Sequence, residues 1–272
     1  VQIYSMQGRY DELIAKALPL LQEGDDRKTA EIARLTGDAY FHKGQYAEAL
    51  SWFKKYLAGN PKSVSRNDSY ETAYAYYLTG DYNQAIKQFQ LVAVNQDSLS
   101  QNAFYHLGDC YLKTGQKRYA FNAFSSASKI KADPVIAEDA LFNYAKLAIE
   151  LSYNPYNEAV NALQQYLNAY PDSPRRDEAY GYLADLYMLT RNYKNAQASI
   201  QQIKKRNARL DAAFQRISYY RGVELFNEGN YEDAIGMFKE AQSNGSDNSF
   251  KSAAQYWTGE CYYSLKQYER AI

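Results

Sequence analysis

Small and apolar residues recur along this chain at helical intervals, and the recurrences come in two alternating kinds. In Ala103-Phe104-Tyr105-His106-Leu107-Gly108-Asp109-Cys110-Tyr111 a small residue, Gly108, stands three before an aromatic one, Tyr111. The same pairing joins Gly37 to Tyr40, Ala73 to Tyr76, Ala184 to Tyr187, Gly222 to Leu225 and Gly259 to Tyr262. Residues three apart share a helix face, so each segment predicts a helix carrying a gap and a plug side by side. The second kind follows directly. Gly44, Tyr46, Ala49 and Phe53 form a phrase that returns as Gly80, Tyr82, Ala85, Phe89 and as Gly229, Tyr231, Ala234, Phe238. Its alanine lets two helices approach closely, and the phenylalanine four residues on lies over it on one face. Its glycine falls at the bend between the two segments, where a positive φ is often needed and only glycine takes it cheaply. Prolines in Asn60-Pro61, Asp133-Pro134 and Tyr170-Pro171 stop one pair and start the next.

Further copies are looser. Gly115, Ala120 and Phe124 keep the phrase with Lys117 in the tyrosine slot; Tyr156, Ala159, Leu163 and Tyr193, Ala196, Ile200 lose the glycine. Partial copies stand at the ends, Gly8, Tyr10, Leu13 and Tyr268, Ala271. Such a period marks a repeat array. The run Gly37, Tyr40, Gly44, Tyr46, Ala49, Phe53, Pro61 resembles the tetratricopeptide repeat (TPR) family almost throughout. The resemblance covers nearly the whole chain. It implies an all-α fold: a right-handed superhelical solenoid of antiparallel helix pairs, about seven repeats with partial ends, running as a single array over 1–272. Copies here fall 35 to 39 residues apart, more than the family's period of about 34, so some helices or turns are longer. Near Leu151-Ser152-Tyr153-Asn154-Pro155 the bend glycine is missing and residues are inserted, which points to an irregular joint near 150–156, either a longer turn or a mechanical hinge. The chain opens at Val1 and closes in mid-pattern at Ile272, and reads as a fragment of a longer protein.

Composition narrows the function classes. Lys plus Arg equals Asp plus Glu, 31 each, so there is no basic excess of the kind a nucleic-acid footprint needs. Hydrophobic residues make up 46% while the mean hydropathy is −0.63, and the 29 tyrosines reconcile the two. Tyrosine has a large apolar body and a hydroxyl that can stay wet. No stretch approaches the 18 or so apolar residues of a membrane span, and no basic-then-apolar leader is visible. Cys110 and Cys261 occupy one register in two repeats, filled by Ala39 in another, which reads as a small buried residue.

No catalytic constellation, phosphate loop or nucleophile elbow is present, so no enzyme and no cofactor is expected. His42 and His106 have no His or Cys at ligand spacing, so no metal is expected either. The acidic pairs Asp25-Asp26 and Glu232-Asp233 read as helix-start charges.

The TPR resemblance implies that the first helix of each pair lines a concave groove. One row on that face runs Arg34, Tyr70, Tyr105, Phe142, Gly181, Tyr219, Tyr256; a second runs Asp38, Tyr74, Asp109, Lys146, Asp185, Val223, Glu260. A third runs Phe41, Tyr77, Leu112, Ile149, Met188, Phe226, Tyr263. The third row reads chiefly as packing between repeats; the first serves packing or binding equally well. Some family members grip a peptide's terminal carboxylate with Lys and Asn. Arg34, Asp38 and Asp109 stand at the matching positions, so that clamp is absent. An aromatic, acidic groove suits a protein or peptide with Lys, Arg or apolar side chains.

The primary expectation is a protein-binding scaffold. The alternative is an architectural module of a larger bacterial envelope protein that self-associates through its terminal repeats. Tyr170-Pro171-Asp172-Ser173-Pro174 with the segment after it is similar to repeats of bacterial outer-membrane assembly and Tol-Pal-associated periplasmic proteins, which favours the periplasm or envelope over the cytoplasm. A regulatory array attached to an enzyme or sensor is a third expectation.

Overall fold

The computed structural model describes residues 1–21, 26–59, 61–151 and 155–272. Among them are sixteen α-helices and no strand. In chain order these are α1 (Gln2–Met6), α2 (Tyr10–Leu20), α3 (Asp26–His42), α4 (Tyr46–Ala58), α5 (Arg66–Leu78), α6 (Tyr82–Val92), α7 (Ser98–Lys113) and α8 (Lys117–Lys129). There follow α9 (Pro134–Leu151), α10 (Pro155–Ala169), α11 (Arg176–Leu189), α12 (Tyr193–Gln201), α13 (Ala208–Asn227), α14 (Tyr231–Ser243), α15 (Asn248–Ser264) and α16 (Tyr268–Ala271). No described helix is long and apolar enough to cross a membrane.

One turn joins the helices within each pair whose connection is described. Gly44 sits at φ 73°, its N–H donating to the Phe41 carbonyl while the N–H of Gln45 reaches back to Tyr40. That pair of bonds is the Schellman ending, which needs a left-handed residue at its centre. Gly8, Gly80, Gly115 and Gly229 repeat it at φ 67°, 84°, 75° and 81°. Where the repeat has lost its glycine, Arg191 (φ 59°) and Lys266 (φ 61°) take the same strained conformation and make the same two bonds. In two of these turns the residue after the bend also caps the next helix. Asp81 accepts from the Gln84 N–H and Asn192 from the Asn195 N–H.

Packing within a pair follows the alanine and phenylalanine of the phrase. Ala49, Ala85, Ala120, Ala159, Ala196 and Ala234 are all fully buried. The gap on the first helix is filled differently from the sequence expectation. A Cβ placed on Gly37, Gly108 or Gly222 would lie 2.6–2.7 Å from Phe53, Phe124 or Phe238, so the plug comes across the hairpin from the second helix. The rings of Tyr76 and Tyr111 are also buried, and the backbone carbonyls of Tyr40, Tyr76 and Tyr111 close the Schellman turns. Cys110 and Cys261 are buried in the register that Ala39 fills, as expected, and burial pushes both thiols up, to about 12 and about 11.

Between pairs, polar side chains stitch the linkers. Gln101 is wholly buried; its amide donates to the carbonyls of Ile130 (2.7 Å) and Asp133 (2.9 Å) and accepts from the Asp133 N–H (2.7 Å). Gln215 does the same for the later linker, donating to Ala241 and Asp247 and accepting from the Asp247 N–H. Asp133 in turn caps α9, with Pro134 as its first residue, the stop-and-start expected of that dipeptide.

The contacts divide the chain into two compact units, Val1–Leu147 and Ala148–Ile272. Each is a stack of antiparallel pairs in which first helices neighbour one another: α3, α5 and α7 in the first unit, α11, α13 and α15 in the second. The expected joint near 150–156, the Tyr156 copy and the Asp25-Asp26 pair fall wholly or in part outside the described residues. Glu232 and Asp233 lie in the first turn of α14, as read.

Candidate functional site

In the first unit, α3, α5 and α7 bring the predicted groove residues onto one face. Tyr70, Tyr74 and Tyr77 follow one another along α5, and their half-buried rings stack: Tyr70 on Tyr74 at 6.0 Å and 9°, Tyr74 on Tyr77 at 5.8 Å and 27°. Phe41 of α3 meets Tyr74 edge-on at 6.0 Å. His106 of α7 lies at the centre, 5.0 Å from Tyr74, 5.2 Å from Tyr77 and stacked on Phe89 at 5.5 Å. Its Nδ1 is buried and meets no protein donor or acceptor. Burial lowers its pKa to about 4, although Asp109 pulls the other way, so the ring is neutral at pH 7. Sequence reading noted His106 but not this central position. Burial likewise raises the Tyr70 hydroxyl to about 12.

Acidic groups border the rings. The Tyr77 hydroxyl donates to Asp109 at 2.8 Å and the Tyr105 hydroxyl to Asp139 at 2.5 Å. Tyr77 therefore packs between repeats, as expected of the third row. Arg34 pairs with Glu31 (2.7 Å) and, across the repeat, with Asp68 (3.1 Å). Asp38 faces His42, at 3.1 Å, and Glu71 of α5. Burial and then the Asp38 charge push the Glu71 carboxyl well above the usual carboxylate range. Glu71 went unremarked in the sequence, though a signal exists. The contacts Arg34–Asp68, Tyr77–Asp109, Tyr105–Asp139 and Asp38–Glu71 all join residues 32 to 34 positions apart. Phe142 is only 3% exposed, so it offers a partner no surface; Lys146 lies over its ring at 5.7 Å.

The second unit presents the remaining predicted residues separately. Gly181, where five other repeats carry a ring, is buried and opens a cleft of about 280 Å3 lined by Asp177, Glu178, Tyr182 and Arg209. Arg209 pairs with Asp185. Tyr219 packs on Phe238 at 6.1 Å and Phe250 at 5.3 Å. Tyr256 is 62% exposed and its hydroxyl is hydrogen-bonded to Glu260.

Comparison with known proteins agrees with this repeat architecture. YpiA, a TPR repeat-containing protein of Bacillus subtilis (strain 168), is 22% identical over 272 residues, 99% of this chain and 59% of its own length. DnaJ homolog subfamily C member 7 of Mus musculus is 24% identical over 242 residues, 85% of this chain and 46% of its own length. The chain thus spans about half the length of the curated relatives it matches. Among solved structures, YrrB, described as a TPR protein with an unusual peptide-binding site, has a TM-score of 0.51 at 15% identity, covering 69% of this chain and 90% of that one. MamA has a TM-score of 0.49 at 20% identity, covering 65% and 89%. At such identity the likeness is one of fold alone. A family model described as Tetratricopeptide repeat matches residues 6–64, 70–128 and 219–272, and a second of the same description matches 139–173. With matched segments over more than half its length, and with the bend, the buried alanine and the glycine–phenylalanine contact recurring from pair to pair, this chain belongs to the tetratricopeptide repeat family.

Proposed function

We propose that the chain is a non-catalytic scaffold whose α3–α5–α7 face binds an extended segment or helix of a partner protein carrying Lys or Arg among apolar side chains. The observation that carries this reading is the half-buried stack of Tyr70, Tyr74 and Tyr77 with Asp38 and Asp109 at its border. Rings of this kind bury large area with few rotors, and so dominate binding hot spots. Their faces attract cations, and the carboxylates beside them select and steer basic side chains. Tyr219, Tyr256, Asp185 and Glu260 offer the same chemistry in the second unit, each on its own account.

The test is capture of partners from the source cell by the wild-type chain beside two variants of checked fold. One is Tyr70→Ala/Tyr105→Ala/Asp109→Ala. The other is Asp109→Asn, which keeps an acceptor for Tyr77 and removes only the charge. A partner retained by the wild type, weakened by Asp109→Asn and lost from the triple variant supports the reading. Equal recovery by all three sinks it. A second reading, self-association through the terminal helices, draws on Tyr263 and Tyr268, 63% and 54% exposed and in edge contact at 5.5 Å. Sedimentation velocity should then show a dimer that Tyr263→Ser/Tyr268→Ser dissociates; a monomer at every concentration excludes it.

A further inference from the structure

On α3, Asp38 and His42 are four residues apart and so project from one face. Glu71 comes to the same point from α5, and one ligand atom from each of the three lies within 4.8 Å of the others. His42 Nε2 lies 3.1 Å from Asp38 Oδ1. The group is built rather than incidental. Tyr10 stacks flat on the His42 ring at 5.1 Å and 12°, Phe41 meets that ring edge-on at 5.9 Å, and the Ser5 hydroxyl reaches the outer oxygen of Asp38 at 3.5 Å. The nearest guanidinium, that of Arg34, is engaged by Glu31 and Asp68. Two carboxyls therefore share one small space, with an imidazole nitrogen as their immediate neighbour. His42 keeps 46% of its side chain exposed, which leaves an open side for an ion and its water.

We propose that Asp38, His42 and Glu71 form a binding site for one divalent transition-metal ion of the zinc class. Mixed imidazole and carboxylate donors suit zinc, cobalt and nickel, and three protein ligands with one open position are a common zinc arrangement. Zinc–ligand bonds of about 2.0–2.2 Å put tetrahedral ligand atoms roughly 3.3 Å apart. The Asp38–His42 pair already stands near that spacing, at 3.1 Å, and the Glu71 ligand atom lies within 4.8 Å of both. This site shares Asp38 with the proposed partner-binding face, but no partner is needed to detect it.

The experiment uses the whole chain without added histidine tags, stripped of metal by a chelator, and titrates it with Co2+. Saturation at one ion per chain should raise visible d–d absorption that Zn2+ then abolishes by competition. His42→Gln and Glu71→Gln, each checked for wild-type helicity, should each weaken binding by about tenfold or more, the scale on which even supporting residues act. Asp11→Asn, outside the triplet, should leave it unchanged. No saturable binding at millimolar Co2+, or binding that survives both substitutions, overturns the proposal and leaves the three residues as a carboxyl pair with a neighbouring histidine.

Discussion

Arg191 and Lys266 carry the bend that glycine carries in five other pairs, and each holds φ near +60° to do so. A left-handed residue with a Cβ costs about 1–2 kcal/mol, part of which glycine's greater freedom in the unfolded chain offsets. Arg191→Gly and Lys266→Gly should therefore each stabilise by about 0.5–1 kcal/mol, read as a rise in the urea midpoint at unchanged slope. His106 gives the second expectation at this scale. The unfolded chain takes up this proton near its ordinary value of 6.5, the folded chain only near 4, because the ring is buried among Tyr70, Tyr74, Tyr77, Tyr105 and Phe89 beside Asp109. Between those values the unfolded state binds more protons. The stability due to the neutral ring is complete above about pH 6.5 and drains away as pH falls through 4. Denaturant titrations across that window should show a steeper acid loss in the wild type than in His106→Phe, and parallel curves would refute the assignment. The bend itself was readable from glycine spacing because a positive φ is a local requirement. The inward turn of His106 was not, because it depends on which rings α5 and the second helices bring against it.

At the scale of the element, three helix pairs are held by a glycine–phenylalanine contact and two linkers between pairs by a buried amide. Gln101 satisfies the Ile130 and Asp133 carbonyls and the Asp133 N–H where the chain leaves α8 and enters α9. Gln101→Leu keeps much of the volume but leaves these groups unpaired in a buried place, which should cost about 2–3 kcal/mol. Amide exchange at Asp133 should speed up with it, and an unchanged rate there would mean the linker is held by something else. Nothing in the sequence marked Gln101 or Gln215 as alike, since they lie outside the tyrosine–alanine–phenylalanine phrase. Their equivalence is one of position: each sits on a first helix where the following linker crosses it.

At the scale of the whole chain, a repeat protein's stability is a sum of pair terms and nearest-neighbour terms. Gly108→Ala drives a methyl into the Phe124 ring, 2.7 Å away, an overpacking worth about 1–3 kcal/mol. Its effect on hydrogen exchange should be greatest in α7 and α8 and fade over the flanking pairs of the first unit; uniform acceleration through that unit would mean it opens cooperatively. The sequence by itself determined the all-helical repeat, its bends, its buried alanines and the register of the aromatic first helices. These follow from backbone sterics and from side-chain spacing along one helix, both of them local. Only the tertiary structure decided that phenylalanine from the second helix fills the glycine gap and that Phe142 is buried while Tyr256 stands exposed. It alone also decided that Glu71 meets Asp38 and His42. Those outcomes depend on how far one pair is displaced along its neighbour, a distance set by all the contacts between them together and written in no single segment.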